Sequence, residues 1–231
     1  MALAILSATA RSEAFQALKA SLDMRSAALV EVEAILPSGF AELDRALCGG
    51  LPRGGIAILE GDPSSGRMAI AARFLAQATA RGLAAAVDDG RLYPPDLARA
   101  GVALERLLVV PAERPLEIAR AADILLRSRV FGVVLLPQAP LRTALWSRLR
   151  DLAQKAAALL LVVGTQAESD LASFASARLH CTIERVSWTG APGPFCELAG
   201  YEIGARVLKR RRAIPGTVVR VRALAKRGDA L

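Results

Sequence analysis

Short apolar segments alternate with helical segments along the chain, and this alternation limits the fold more than any other feature of the sequence. We predict buried strands at 56–59, 84–87, 107–110, 133–136 and 159–163. Three helices are predicted between them, at 67–80, 115–129 and 141–152. Strands that are apolar on both faces and separated by helices are typical of a parallel sheet covered by helices on both faces. The fold class is therefore predicted to be α/β.

The pattern changes after residue 175. Segments 178–185, 201–209 and 217–222 alternate apolar with polar residues and are joined by turns, which predicts an antiparallel C-terminal extension of the same sheet. Near the other end, Phe15, Leu18 and Leu22 lie on one face of a short helix predicted over 12–22, and another helix is predicted over 40–47. The predicted domains are an N-terminal helix and linker at 1–34, one core domain at 35–225 and a basic tail at 226–231.

The composition excludes several classes of protein. Of the 231 residues 53% are apolar, which supplies a full core and excludes wholesale disorder. The longest uncharged apolar run, 156–163, is far shorter than the roughly 20 residues of a membrane span, and the N-terminal apolar run lacks the basic residue that opens a signal peptide. Three scattered cysteines and one histidine argue against a disulfide framework, a metal site and histidine-based catalysis. We expect a cytoplasmic protein without a metal or a cofactor.

The positive charge is concentrated at the C-terminal end. The formal net charge is +8, and residues 201–231 contain nine bases against two acids. This asymmetry predicts a surface for a polyanion, most plausibly DNA bound through its phosphates, although a solvated basic terminus would give the same composition. The run 209–212 is expected at a turn, because alternate side chains of a strand point to opposite faces. The predicted DNA-binding residues are Arg206, Lys209, Arg210, Arg211, Arg212, Arg220, Arg222, Lys226 and Arg227.

A glycine-rich loop follows the first predicted strand. Its spacing, G-x-x-x-x-G, is that of a phosphate-binding P-loop, in which backbone N–H groups and a helix N-terminus surround a phosphate. A functional loop continues with Lys, which reaches the terminal phosphates, and with Ser or Thr, which holds Mg²⁺. This chain has instead Arg, a bulky planar cation, and Met, which offers no oxygen. The loop comprises Gly61, Asp62, Pro63, Ser64, Ser65, Gly66, Arg67 and Met68.

A third part of the hydrolytic machinery is also altered. A P-loop NTPase needs an Asp at the end of a later strand to act on Mg²⁺, and Pro137 follows the fourth predicted strand here. We therefore predict a degenerate loop, no nucleotide hydrolysis and no catalytic residue. Two alternatives stay open, a loop that is only a strand–helix turn and a loop that binds phosphate or ATP weakly.

The order of these motifs resembles RecA. The resemblance is carried by Leu36 to Asp44, by Gly49 to Gly54, by the loop itself, and by 174–179 with the basic segment 202–215. It implies a RecA-like core, with Asp89 where the family has a water-activating glutamate and Gln166 where it has a glutamine that senses the γ-phosphate. The long DNA-binding loops of RecA are missing, since only 138–140 and 167–173 occupy their places, and the large C-terminal domain is missing too.

A trimmed RecA-like core with a degraded P-loop is similar to ImuA, a member of bacterial inducible-mutagenesis cassettes. Segment 92–97, Gly101 and Leu107 with Leu108 carry this similarity. It implies an accessory role in damage-induced translesion synthesis, with an ImuB-like inactive polymerase, an error-prone polymerase and RecA as partners. Self-association through the N-terminal helix is a further expectation. The alternative functions are a modulator of RecA filaments and an atypical RecA-type ATPase that still binds ATP.

Overall fold

The computed structural model describes residues 34–190 and 196–224. Its strands are β1 Ile35–Leu36, β2 Leu51–Pro52, β3 Gly55–Glu60, β4 Leu83–Asp88, β5 Leu107–Pro111, β6 Phe131–Pro137, β7 Leu159–Gly164, β8 Ala175–Thr189, β9 Glu197–Arg210 and β10 Val218–Leu224. Its helices are α1 Ala41–Ala46, α2 Arg67–Thr79, α3 Pro94–Arg99, α4 Pro115–Ser128, α5 Thr143–Ala156 and α6 Ser169–Phe174. The helix predicted at 12–22, the basic tail and its Lys226 and Arg227 lie outside the described residues.

An eight-stranded sheet in the order β10-β9-β8-β3-β7-β6-β4-β5 forms the centre of the fold. The six strands from β8 to β5 are parallel to their neighbours, and β9 and β10 are antiparallel. This confirms the predicted α/β class and its antiparallel extension. One detail differs, because β8 itself runs parallel to β3 and the direction reverses only at β9.

Helices cover both faces of the parallel sheet, as the buried strands predicted. Successive residues of β3 point to opposite sides, so Ala57 and Leu59 face one core and Ile56 and Ile58 face the other. The first core contains the apolar residues of α2, among them Phe74. The second is built from α4 and α5 and encloses Trp146. No helix of the described residues is long and apolar enough to cross a membrane.

The connections at the ends of β6 and β7 are short. Segment 138–142 leads from β6 to α5, and segment 165–168 leads from β7 to α6. Pro137 is the last residue of β6, and the N–H of Gln138 donates to the carbonyl of Val163 at 2.8 Å. The strands therefore pass almost directly into their helices at this edge of the sheet.

Strands β8 and β9 form a ribbon longer than the sequence predicted. Strand β8 pairs with β3 only as far as His180, while its pairing with β9 continues to Thr189 opposite Glu197. The outer half of the ribbon thus extends past the end of β3 and over the glycine-rich loop. A two-residue pair such as β1–β2 and short helices such as α3 and α6 carry too little periodicity to be found from sequence.

Candidate functional site

The glycine-rich loop lies at the strand–helix junction that its spacing predicted. It connects β3 to α2 and has left-handed backbone at Ser64, with φ 63°, and at Gly66, with φ 83°. The N–H of Ser65 donates to the carbonyl of Asp62 at 3.0 Å, which tightens the turn. The chain therefore keeps the backbone shape of a phosphate loop.

The cation of this loop is bound to the loop itself. Nη1 of Arg67 donates to the carbonyl of Gly61 and, at 2.6 Å, to the carbonyl of Asp62. Nε of Arg67 is buried and has no hydrogen-bond partner. The guanidinium is thus held against loop carbonyls, while the neighbouring Met68 side chain is 37% exposed.

The space beside Arg67, at the ends of β4 and β6, is small and acidic. The cavity measures about 70 Å³ and is lined by Asp88, Asp89 and Pro137 as well as by Arg67, which leaves room for a few water molecules. Asp88 accepts the N–H groups of Gly90, Arg91 and Leu92 at 2.9–3.0 Å. Asp89 pairs with Arg91 at 3.4 Å. Both carboxylates therefore already have partners in the turn after β4.

Glu60, which the sequence analysis did not single out, anchors the base of the loop. Its carboxylate is buried, and Nη2 of Arg178 lies 3.1 Å from each of its oxygens. The N–H of Ala167 donates to the same carboxylate at 3.0 Å. Glu60 therefore joins β3 to β8 and to the segment after β7. The signal in the sequence was a lone carboxylate at the end of an otherwise apolar strand.

The amide at the predicted γ-phosphate sensor position is exposed. Gln166 uses its backbone carbonyl, which accepts Nε2 of Gln138 at 2.7 Å, and its side chain faces solvent. This contact connects the ends of β6 and β7. Cys181 lies on β8 under the loop, and burial raises the pKa of its thiol to about 12.

The basic run 209–212 does not converge at one turn, which corrects the expectation from sequence. Strand β9 continues to Arg210, so Lys209 and Arg210 point to opposite sides. Nζ of Lys209 donates to the carbonyls of Ala172 and Ser173, at 3.2 and 3.1 Å. Arg210 is buried, and its Nε donates to the carbonyl of Leu47 at 3.3 Å. Only Arg211 and Arg212 lie exposed in the turn.

Three other arginines predicted to bind DNA share one face of the extension. The β9–β10 register places Arg220 opposite Gly204 and Arg222 opposite Glu202, with Arg206 on the same side of β9. Arg206 and Arg222 are exposed and form no ion pair within the described residues. Arg220 donates to Glu184, and this hydrogen bond raises the pKa of Arg220. A shallow cavity of about 400 Å³ on this face is lined by His180, Thr182 and Arg206 among others.

Comparison with known proteins shows the same relationship over part of the chain. The chain is 38% identical to RecA of Salinispora arenicola (strain CNS-205) over 106 residues, which are 45% of this chain and 30% of that RecA. It is 38% identical to RecA of Methylococcus capsulatus over 105 residues, again 30% of that protein. The chain thus spans about a third of the length of these relatives.

A solved structure and a family model extend the comparison. The crystal structure of the RadB recombinase superposes with a TM-score of 0.64 at 18% identity, covering 80% of this chain and 94% of the RadB chain. At that identity the likeness concerns the fold, which is RecA-like. The family model described as the MT3502 N-terminal domain matches residues 45–168, more than half of the chain. The chain therefore has a RecA-like core and belongs to the MT3502 N-terminal domain family.

Proposed function

We propose that this chain is a cytoplasmic RecA-like accessory protein of DNA repair that binds DNA and does not hydrolyse a nucleotide. The observation that carries the proposal is the position of Arg67, whose guanidinium is bonded to the carbonyls of Gly61 and Asp62 in its own loop. A cation that stabilises terminal phosphates must point away from these carbonyls and toward the ligand.

The neighbouring residues support the same conclusion. Met68 offers a soft thioether where a hydroxyl would coordinate Mg²⁺, and Pro137 offers no side-chain oxygen at the end of β6. Asp88 and Asp89 line the small cavity beside Arg67, and carboxylates repel phosphate unless a cation lies between them. We therefore assign no catalytic residue and no bound cofactor.

The ATPase assay tests this part of the proposal. Wild-type protein is expected to show no ATP hydrolysis above background, with or without DNA. Arg67→Lys with Met68→Thr restores two of the three altered residues and is expected to remain inactive, because Pro137 is still in place. Wild-type turnover above about 1 s⁻¹ that is lost in Arg67→Ala would contradict the proposal and favour the atypical ATPase.

DNA binding is assigned to the exposed arginines of the extension. Arg206 and Arg222 have no ion-pair partner within residues 34–190 and 196–224, so they are available to phosphates. Arg211 and Arg212 add two exposed cations in the turn between β9 and β10. We leave Lys209 and Arg210 out of this surface, because their side chains are bonded to carbonyls of α6 and of the segment after α1.

The role in repair is proposed from the likeness to ImuA. The RecA-like fold, the altered loop and the short connections after β6 and β7 support an accessory role in damage-induced mutagenic synthesis. The partners proposed are DNA, an ImuB-like inactive polymerase, an error-prone polymerase and RecA. Purification of the tagged protein from cells before and after DNA damage tests this assignment. Damage-dependent recovery of an inactive Y-family polymerase relative supports it, whereas recovery of RecA alone would favour the modulator of RecA filaments.

A further inference from the structure

A second cavity, of about 470 Å³, lies between the start of α2 and the outer half of the β8–β9 ribbon. One wall is formed by residues 64–69, which are the end of the loop and the first residues of α2. The other wall is formed by side chains of the ribbon, namely Ile183, Val186, Trp188, Leu198 and Tyr201. Its volume is that of a typical binding pocket and its walls are predominantly apolar.

Large apolar side chains around this cavity are exposed to solvent. Trp188 is 62% exposed, Val186 is 45% exposed and Met68 is 37% exposed. Exposed apolar residues that stand singly need no explanation, but these three line one cavity and so form a contiguous patch. Trp188 is also a residue type that contributes strongly to protein interfaces.

The charge on the protein restricts what can cover this patch. Among the residues that line the cavity only Arg67 is charged, and its Nη1 is already bonded within the loop. The whole chain carries a net charge of +8, so two copies repel each other at most of their surface. An uncharged apolar face is where two such copies can approach without that cost.

We infer that this face binds a second copy of the chain in a two-fold symmetric dimer. A two-fold interface uses the same surface on both copies, so it needs a projecting group and a receiving cavity side by side. Trp188 projects from the rim of the cavity, which meets that requirement. The side chain of the partner's Trp188 enters the cavity of one protomer, and Trp188 of that protomer enters the cavity of the partner.

The area available is sufficient for a specific dimer. A buried tryptophan contributes about 150–250 Å², and each of the two indoles covers a similar area of the cavity wall. Contacts of Met68 and Val186 around them bring the total to about 1,200 Å², the lower end of specific interfaces. The Arg206 face lies on the opposite side of the ribbon, so dimerisation leaves it accessible. The inference does not depend on the proposed function.

Sedimentation equilibrium of four proteins tests the inference. Wild type, Trp188→Ala, Trp188→Phe and Ile124→Ala are compared from about 1 to about 100 µM. Wild type is expected to dimerise, Trp188→Ala to weaken the dimer at least about tenfold, and Trp188→Phe to retain most of the affinity. Ile124, which is 68% exposed on α4, is the matched control, and its removal is expected to change nothing.

Three results would overturn the inference. They are a monomer at every concentration, a dimer unaffected by Trp188→Ala, and equal weakening by Trp188→Ala and Ile124→Ala. The second result would also be given by self-association through another surface, such as the predicted N-terminal helix. The dimer is expected to persist or strengthen as salt is added, because salt screens the repulsion between two positively charged copies.

Discussion

The side chain of Ile203 occupies the space beside Gly66 in which a β-carbon would have to lie. A Cβ placed on Gly66 would be 2.6 Å from Cγ1 and 2.7 Å from Cδ1 of Ile203. Gly66 is the residue before α2, and Ile203 lies on β9, so this contact joins the loop to the C-terminal extension. The glycine is therefore required for packing as well as for the left-handed backbone of the loop.

Gly66→Ala is expected to lower the free energy of unfolding by about 2–4 kcal/mol. The left-handed backbone costs about 1–2 kcal/mol once a Cβ is present, and crowding against Ile203 adds about 1–3 kcal/mol. Gly90→Ala is the control, because Gly90 has φ 87° and nothing within 4 Å of its Cβ position. It should show the backbone cost alone in urea unfolding. Equal losses for the two variants would contradict the contact with Ile203.

Glu60→Gln is expected to destabilise the fold by about 3 kcal/mol. The change keeps the shape of the side chain but leaves Arg178 without its carboxylate in a mostly buried position, where loss of one partner of an ion pair is costly. Glu42→Gln removes the partner of Arg45 in an exposed pair and should cost less than about 1 kcal/mol. Thermal unfolding of both variants at one pH makes the comparison. A small loss for Glu60→Gln would mean that the pair does not stabilise the base of the loop.

Replacing Arg206 and Arg222 with Ala is expected to weaken DNA binding and to flatten its salt dependence. Each lost phosphate contact should reduce the magnitude of the log–log slope on single strands by about 0.7. Fluorescence anisotropy with a labelled oligonucleotide across a salt series measures both quantities. Arg120→Ala, an exposed arginine on α4, is the control. If the slope is the same in all three proteins, DNA does not contact this face.

Cys181 is expected to resist thiol reagents while Cys48 reacts. Cys48 is exposed and Cys181 is buried. Burial raises the pKa of Cys181 from 9.0 to about 12, so the folded protein holds it protonated where the unfolded chain ionises it. Its contribution to stability is therefore present below pH 9 and is lost as the pH rises toward 12. Labelling in native and unfolding conditions tests the exposure, and unfolding on either side of pH 9, with Cys181→Ala for comparison, tests the sign.

The sequence alone determined the fold class and the place of the loop. Strands such as 159–163 are apolar on both faces, and this property is local, because a buried strand shows it whichever strand lies beside it. The spacing of Gly61 and Gly66 after such a strand likewise required a strand–loop–helix junction. The replacement of the loop lysine and hydroxyl by Arg67 and Met68 was also legible directly.

Only the tertiary structure decided which residues meet. The pairing of Glu60 with Arg178 depends on β8 lying next to β3, although the two residues are far apart in the sequence. The separation of Lys209 and Arg210 from Arg211 and Arg212 depends on where β9 ends. The contact of Ile203 with Gly66 depends on the length and register of the β8–β9 ribbon. Strand order and register arise from long-range packing of the whole sheet, so no local pattern encodes these contacts.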